Sequence, residues 1–262
     1  VRRVGRGLPD KLTDVKSILI TGGSRGIGAA TARLAVRHGC AVCINYRQRR
    51  ESADSLVREL ESAGGRAIAI RADIAVEAEV SALFEACDRA FGTLTALVNN
   101  AGILEPQMRV DGMAMDRLHR VFATNVYGAF ACAREAVKRM STRYGGGGGT
   151  IVNVSSVASG LGSPGEYVDY AASKGALDTL TIGLAREVAD EGIRVNAVRA
   201  GVIYTEMHAS GGEPGRVDRV KGSVPMKRGG TPEEVAEAIW WLLSDRSSYT
   251  TGSFIDVSGG RS

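Results

Sequence analysis

Short apolar runs, each roughly four to eight residues long and bounded by polar or glycine-rich breaks, alternate along the chain with longer segments of helical periodicity. The runs fall at 17–21, 41–46, 66–72, 96–102, 151–156, 193–198 and 253–257, and the one at 96–102 ends in small polar residues. Between them the pattern predicts helices over 29–38, 51–63, 76–91, 115–140, 170–190 and 231–243. Strands that are apolar throughout are buried on both faces. Separated by helices, they call for a parallel sheet covered on each side, with a ligand crevice at the strand C-termini. The expectation is therefore a single α/β domain with a seven-stranded parallel sheet over 17–262, undivided by any repeat or linker.

Three segments stand out from the alternation. Thr231-Pro232-Glu233-Glu234 has the form of a helix start, with Thr as N-cap, Pro in the first turn and Glu at the third helical position. The glycine run 145–149 reads as a flexible surface turn. Residues 205–225 read as irregular, and a loop of that length is uncommon unless functional, so this is the expected substrate lid.

Composition adds exclusions. The chain is 44% hydrophobic and 24% charged, as expected of a soluble protein, and no apolar run approaches the roughly 20 residues of a membrane helix. A net charge of +4 is small for 262 residues, and its local excess is Arg2, Arg3, Arg6, Lys11 and Lys16. Neither a membrane nor a nucleic acid is an expected partner. The basic stretch 1–16 begins at Val and is read as a processed, added or disordered tail outside the domain. Cys40, Cys43, Cys87 and Cys132 have no paired spacing, and His38, His119 and His208 are dispersed. No metal site is expected, and the cysteines are read as thiols in a reducing cytoplasm.

Candidate chemistry lies at the ends of the strands. The first strand runs into Gly22-Gly23-Ser24-Arg25-Gly26-Ile27-Gly28 and then a helix, a turn that brings backbone N–H groups close to a pyrophosphate. It lacks the Gly-Lys-Ser/Thr of nucleotide triphosphatases. The second strand ends at Arg47-Gln48-Arg49-Arg50 with no acid. Where an acid would hold ribose hydroxyls, arginine accommodates a 2′-phosphate, so Arg47 with Arg25 favours NADP(H) over NAD(H); a solvated basic turn is the plainer alternative. Asn125, inside a predicted helix, is a surface residue or marks a local kink with a polar group inside. Tyr170 and Lys174, four apart, share a helix face. A nearby ammonium lowers a phenol's pKa, which would make Tyr170 a tunable proton donor; alone, the spacing also fits an ordinary amphipathic pair.

Taken together and in this order, Thr21-Gly22-Gly23-Ser24-Arg25-Gly26-Ile27-Gly28, Asp73, Asn99-Asn100-Ala101-Gly102, Asn125, Ser156 and Tyr170-x-x-x-Lys174 resemble the short-chain dehydrogenase/reductase family, over 17–260. The resemblance implies a Rossmann-type doubly wound fold and hydride transfer between a nicotinamide and a secondary alcohol, sugar hydroxyl or carbonyl. It implies Tyr170 as proton donor or acceptor, Lys174 as the group that depresses its pKa and bonds the nicotinamide ribose, Ser156 as holder of the substrate oxygen, and Asn125 as the seat of a proton-relay water. It implies cofactor contacts from Gly22, Ser24, Arg25, Ile27 and Gly28 at the phosphates, Arg47 at the 2′-phosphate, Asp73 and Ile74 at the adenine, Asn99, Ala101 and Gly102 along the cofactor, and Ile203 and Thr205 at the carboxamide. A homo-oligomer, most often a tetramer in the family, is implied too.

Residues 166–220 further resemble a bacterial subgroup of sugar-dehydrogenase-like oxidoreductases. Ser156 lies 14 residues before Tyr170, one more than the family pattern, which implies a longer connection. Ser155 and Ser159 compete with Ser156, and Tyr167 with Tyr170 if the helix starts early. Ala200-Gly201 stands where the family has Pro-Gly. A 3-oxoacyl thioester reductase, with Arg216, Arg219 and Lys221 toward a carrier, and a non-catalytic dinucleotide sensor are the alternative readings.

Overall fold

In the computed structural model, which describes residues 17–261, seven parallel strands form one sheet. The expected tail 1–16 lies outside the described residues. In chain order the elements are β1 (Ser17–Ile20), α1 (Gly26–Arg37), β2 (Ala41–Tyr46), α2 (Arg50–Ser62), β3 (Arg66–Arg71), α3 (Glu77–Phe91), β4 (Ala96–Asn99), α4 (Met115–Phe122), α5 (Ala129–Met140), β5 (Gly149–Ser156), α6 (Ala158–Leu161), α7 (Val168–Val188), β6 (Ile193–Ala200), α8 (Met207–Ser210), α9 (Arg216–Val220), α10 (Pro232–Leu243) and β7 (Phe254–Val257). The strand order β3-β2-β1-β4-β5-β6-β7 reverses direction of growth between β1 and β4, where Ile18 pairs with Ala96 and Leu19 with Leu97. Ligand crevices of doubly wound sheets open at that switch point.

Alternation along each strand divides the core in two. Ile18, Ile20, Val42, Ile44, Val152 and Val154 pack to one face against α1 and α10, while Leu19, Cys43, Leu97 and Ile151 pack to the other against α3, α5 and α7. The start of α10 is as the sequence predicts: Thr231 Oγ1 accepts from Glu234 N, and Glu234 Oε2 accepts from Thr231 N at 2.8 Å.

Three expectations are corrected. The helix expected over 115–140 is broken into α4 and α5 by a π-helical turn, Ala123–Gly128, centred on Asn125. The glycine run is a surface turn only in part: Gly145 and Gly147 are exposed with open space around them, but Gly148 sits at φ +84°, and a Cβ there would lie 2.6 Å from Gly192 O. Glycine is required because two backbones meet. Segment 205–225 is not irregular throughout, since it holds α8, α9 and a 3₁₀ turn, Lys221–Ser223.

The chain on either side of this segment is stitched together. Ile203 and Gly230 form a parallel bridge, with Tyr204 N donating to Gly230 O and Gly230 N donating to Val202 O, each at 2.9 Å. Arg216 and Arg219 pair with Glu166 and Glu213, and so tie the segment to the approach to α7.

Candidate active site

The turn after β1 is built on close approach. Gly22 has φ +60°, and a Cβ there would lie 2.9 Å from Ala101 Cα, so the loop and the end of β4 can touch only with glycine. Asn100 fastens them, its Nδ2 donating to Thr21 O at 2.9 Å and to Gly22 O at 3.0 Å. Asn45 does the same from β2: Gly22 N donates to its Oδ1 at 3.2 Å, and its Nδ2 donates to Ala72 O at 3.0 Å. The loop thereby presents the N-terminus of α1 to a cleft lined by Gly22, Ser24, Arg25 and Ile27, by Arg47, Asp73 and Ile74, and by Ala101, Gly102 and Thr205.

Positive charge gathers at one end of this cleft. Arg25 donates to Ser210 Oγ at 3.3 Å, yet its other terminal nitrogen, Nη1, is buried with no partner among the described residues. Burial, and then the neighbouring Arg49 charge, push its pKa below the ordinary guanidinium value. Arg47 also lines the cleft, 3.7 Å from Asp73. A buried guanidinium nitrogen without a partner, beside a glycine turn and a helix N-terminus, fits a phosphate-bearing dinucleotide. Arg49 was not singled out from sequence, although the basic run at 47–50 carried the signal.

A second pocket adjoins the cleft and shares Ile27, Asn100, Thr205 and Met207 with it. Ser156, Tyr170, Lys174 and Ile203 line it. Ser156 ends β5; its hydroxyl donates to Ala200 O at 3.2 Å and accepts from Ala158 N at 3.1 Å. Tyr170 and Lys174 lie one turn apart near the start of α7, with the Lys174 Nζ 5.6 Å from the Tyr170 ring centroid. Lys174 Nζ donates to Val154 O at 2.7 Å, which anchors the helix to the strand bearing Ser156.

Of the competitors, Ser155 and Tyr167 line the same pocket, but each is engaged differently from the candidate pair. The Ser155 hydroxyl donates to Asp178 Oδ1 at 2.6 Å and that of Ser159 to Ser156 O at 2.9 Å. Tyr167 precedes α7 as its N-cap, buried against the Arg216 guanidinium. The 14-residue connection holds α6 and a turn in which Gly162, Ser163 and Gly165 all have positive φ.

Asn125 is buried, not a surface residue. Its Oδ1 accepts from Ile103 N at 2.8 Å, and its Nδ2 donates to Ile103 O at 3.1 Å and Ser173 Oγ at 3.0 Å. Ser173 in turn donates to Tyr170 O at 2.7 Å, so Asn125 braces the turn that carries Tyr170. Asn99 and Gly28, expected to touch the cofactor, do not line the cleft. Asn99 Nδ2 donates to Ala129 O and to Asn153 Oδ1, a buried link from β4 to β5. Gly28 lies against Gly22 and Asn100, where a Cβ would be 2.7 Å from Asn100 Nδ2.

The electrostatics differ from the expected pair. Burial pushes the Tyr170 phenol up to about 12, against the downward pull of the Ser156 hydroxyl. Burial likewise pushes Lys174 down to about 8, opposed by Asp178. Desolvation favours the neutral form of each group and outweighs the depression of Tyr170 that the spacing implied. Among the described residues no cluster of three or more His, Cys, Asp or Glu could hold a metal, and no helix is long and apolar enough to cross a membrane.

Comparison with known proteins agrees with this architecture. A family model described as "Enoyl-(Acyl carrier protein) reductase" matches residues 22–262. The uncharacterized oxidoreductase YgfF of Escherichia coli K12 is 62% identical over 243 residues, covering 93% of this chain and 98% of that protein. 3beta-Hydroxysteroid dehydrogenase 1 of Eggerthella lenta is 41% identical, covering 94% and 93%. A solved mutant of a Serratia marcescens short-chain dehydrogenase/reductase superposes with a TM-score of 0.86 at 33% identity, covering 94% of this chain and 97% of that one. The chain belongs to the short-chain dehydrogenase/reductase family of oxidoreductases.

Proposed function

We propose that the protein is an NADP(H)-dependent oxidoreductase that interconverts a secondary alcohol or sugar hydroxyl with its carbonyl, using Tyr170 as proton donor and acceptor. The observation that carries this reading is the convergence of Ser156, Tyr170 and Lys174 in a pocket contiguous with the glycine-loop cleft. The family uses a nicotinamide dinucleotide, which when bound supplies or accepts the hydride.

The chain's own residues divide the remaining work. Gly22, Ser24, Arg25 and Ile27 would hold the phosphates, and Arg25 and Arg47 a 2′-phosphate. Asp73 and Ile74 would border the adenine, and Ala101, Gly102, Ile203 and Thr205 the rest of the cofactor. In the reducing direction Tyr170, protonated at neutral pH, would donate its hydroxyl proton to the substrate oxygen, with the Ser156 hydroxyl bonding that same oxygen. Lys174, still largely charged at neutral pH, would stabilise the phenolate left behind. The π-turn at Asn125 would open backbone for a relay water behind Lys174.

Two relatives bear on substrate class. Glucose 1-dehydrogenase 2 of Bacillus subtilis and the 3-oxoacyl-[acyl-carrier-protein] reductase FabG of Staphylococcus aureus are each 36% identical to this chain. The thioester reading needs basic side chains free to meet a carrier, whereas Arg216 and Arg219 are paired with Glu166 and Glu213, and Lys221 with Asp218. The alcohol or sugar reading is therefore preferred. Tyr170→Phe tests it: turnover of a carbonyl panel should be abolished while NADPH binding, read by quenching of the two tryptophans, persists. Unchanged turnover would overturn the mechanism.

A further inference from the structure

The catalytic pocket contains two polar atoms that the proposed proton chemistry leaves unused. The Tyr167 hydroxyl and His208 Nδ1 are both buried, and neither has a hydrogen-bond partner among the described residues. Both residues line the pocket that holds Ser156 and Tyr170. Buried polar atoms in native proteins are nearly always paired, so two exceptions in one pocket mark a place that a ligand completes.

The hydrogen-bonding character of each atom follows from its surroundings. His208 Nε2 lies 3.0 Å from Ile203 O, and a carbonyl oxygen can only accept, so Nε2 carries the ring proton. Burial, opposed by the Ile203 carbonyl and helped by the Arg216 charge, holds the ring below its ordinary pKa, which favours the neutral form. Nδ1 is then an acceptor and nothing else. Tyr167 is held by the Arg216 guanidinium, 4.7 Å from its ring centroid, and its hydroxyl can both donate and accept. Arg216 itself pairs with Glu166 and Glu213, so it braces this wall without offering an unpaired cation to an anionic ligand.

We propose that Tyr167 and His208 form a hydroxyl-reading subsite beside the catalytic pair, taking a second hydroxyl of a polyhydroxylated alcohol or ketone substrate. This rests on the oxidoreductase reading for its reaction but not for its recognition. A carboxylate would set acceptor against acceptor at His208 Nδ1. A hydrocarbon chain would leave both atoms unpaired, the situation in which polar sites discriminate most strongly.

Erythrulose and butan-2-one test the subsite, being the same four-carbon ketone skeleton with and without hydroxyls. With NADPH, the wild-type protein should prefer erythrulose in kcat/KM. Tyr167→Phe and His208→Leu should each cut that preference by about 5- to 150-fold, the range that one unpaired buried polar group is worth. Comparing variant with wild type cancels the intrinsic difference in ketone reactivity. Tyr167→Phe should also leave the melting temperature unchanged or raise it, because the hydroxyl has no partner in the protein to lose. A preference that survives both substitutions, or a clear drop in melting temperature on Tyr167→Phe, overturns the subsite. If neither ketone is turned over, the same pair is compared by ligand-induced thermal shift on Tyr170→Phe protein. A shift confined to erythrulose and lost on adding Tyr167→Phe supports the subsite while the oxidoreductase reading fails; equal or absent shifts overturn the subsite.

Discussion

Arg117→Met removes one partner of a buried ion pair that holds the start of α7. Arg117 on α4 donates through Nε and Nη2 to the two Asp169 oxygens, at 2.8 and 3.2 Å, and through Nη1 to Pro106 O. Both side chains are buried, 6% and 1% exposed, so the substitution leaves a carboxylate stranded out of water. That situation costs about 3–5 kcal/mol. Asp169 lies in the first turn of α7, where the helix N-terminus favours negative charge and offsets part of the loss. The expected destabilisation is therefore in the lower half of the range, about 3–4 kcal/mol, or about 6–16 °C in Tm at roughly 2–4 °C per kcal/mol for a domain of this size class. Thermal and urea unfolding followed by circular dichroism measure it. The double variant Arg117→Met/Asp169→Leu should recover at least half of the loss, because an apolar pair leaves no unpaired charge. A single variant within about 1 kcal/mol of wild type, below the range expected for a stranded buried charge, or a double variant no better than the single, would refute the reasoning.

Further outcomes follow from the site. Carbonyl reduction should weaken as pH rises through about 8, where Lys174 loses the charge that stabilises the phenolate of Tyr170. A kcat/KM profile flat from pH 7 to 10 would contradict this. Arg47→Ala should raise KM for NADPH by about 10- to 150-fold, the worth of a charge-assisted hydrogen bond, and leave KM for NADH little changed. Equal effects on both cofactors would remove the 2′-phosphate assignment. Gly148→Ala forces a left-handed φ on a residue with a side chain and drives its Cβ into Gly192 O, so chemical denaturation should show a loss of more than about 1 kcal/mol.

The sheet was legible in the sequence because strands such as β2, buried along their whole length, are dominated by apolar residues, with Asn45 the polar exception in β2. The cap of α10 was legible because a capping box is local chemistry. Features that depend on residues far apart in the chain were not. Asn125 signals an anomaly by its type, but the π-turn around it is fixed by Ile103 and Ser173. The need for glycine at 148 is invisible until Gly192 is placed against it. The roles of Tyr167 and His208 rest on hydrogen bonds they do not make, and the upward shift of Tyr170 on its burial. Spacing along a helix contains none of these.

The bridge between Ile203 and Gly230 has an evolutionary consequence. By fixing the two ends of the intervening segment side by side, it makes the segment a cassette whose length can change without pulling on the sheet, so long as the ties of Arg216 and Arg219 to Glu166 are kept. Doubling such a loop adds only about 0.6 kcal/mol of closure entropy. His208 and Arg216 lie inside the cassette, whereas Ser156, Tyr170 and Lys174 lie on the scaffold outside it. Insertion or deletion between the two anchor points, with Thr205, Arg216 and Arg219 retained, is thus a low-cost route to new specificity that leaves Ser156, Tyr170 and Lys174 in place. Grafting the corresponding segment of a relative between these anchors, with those three residues retained, is the engineering counterpart of that route.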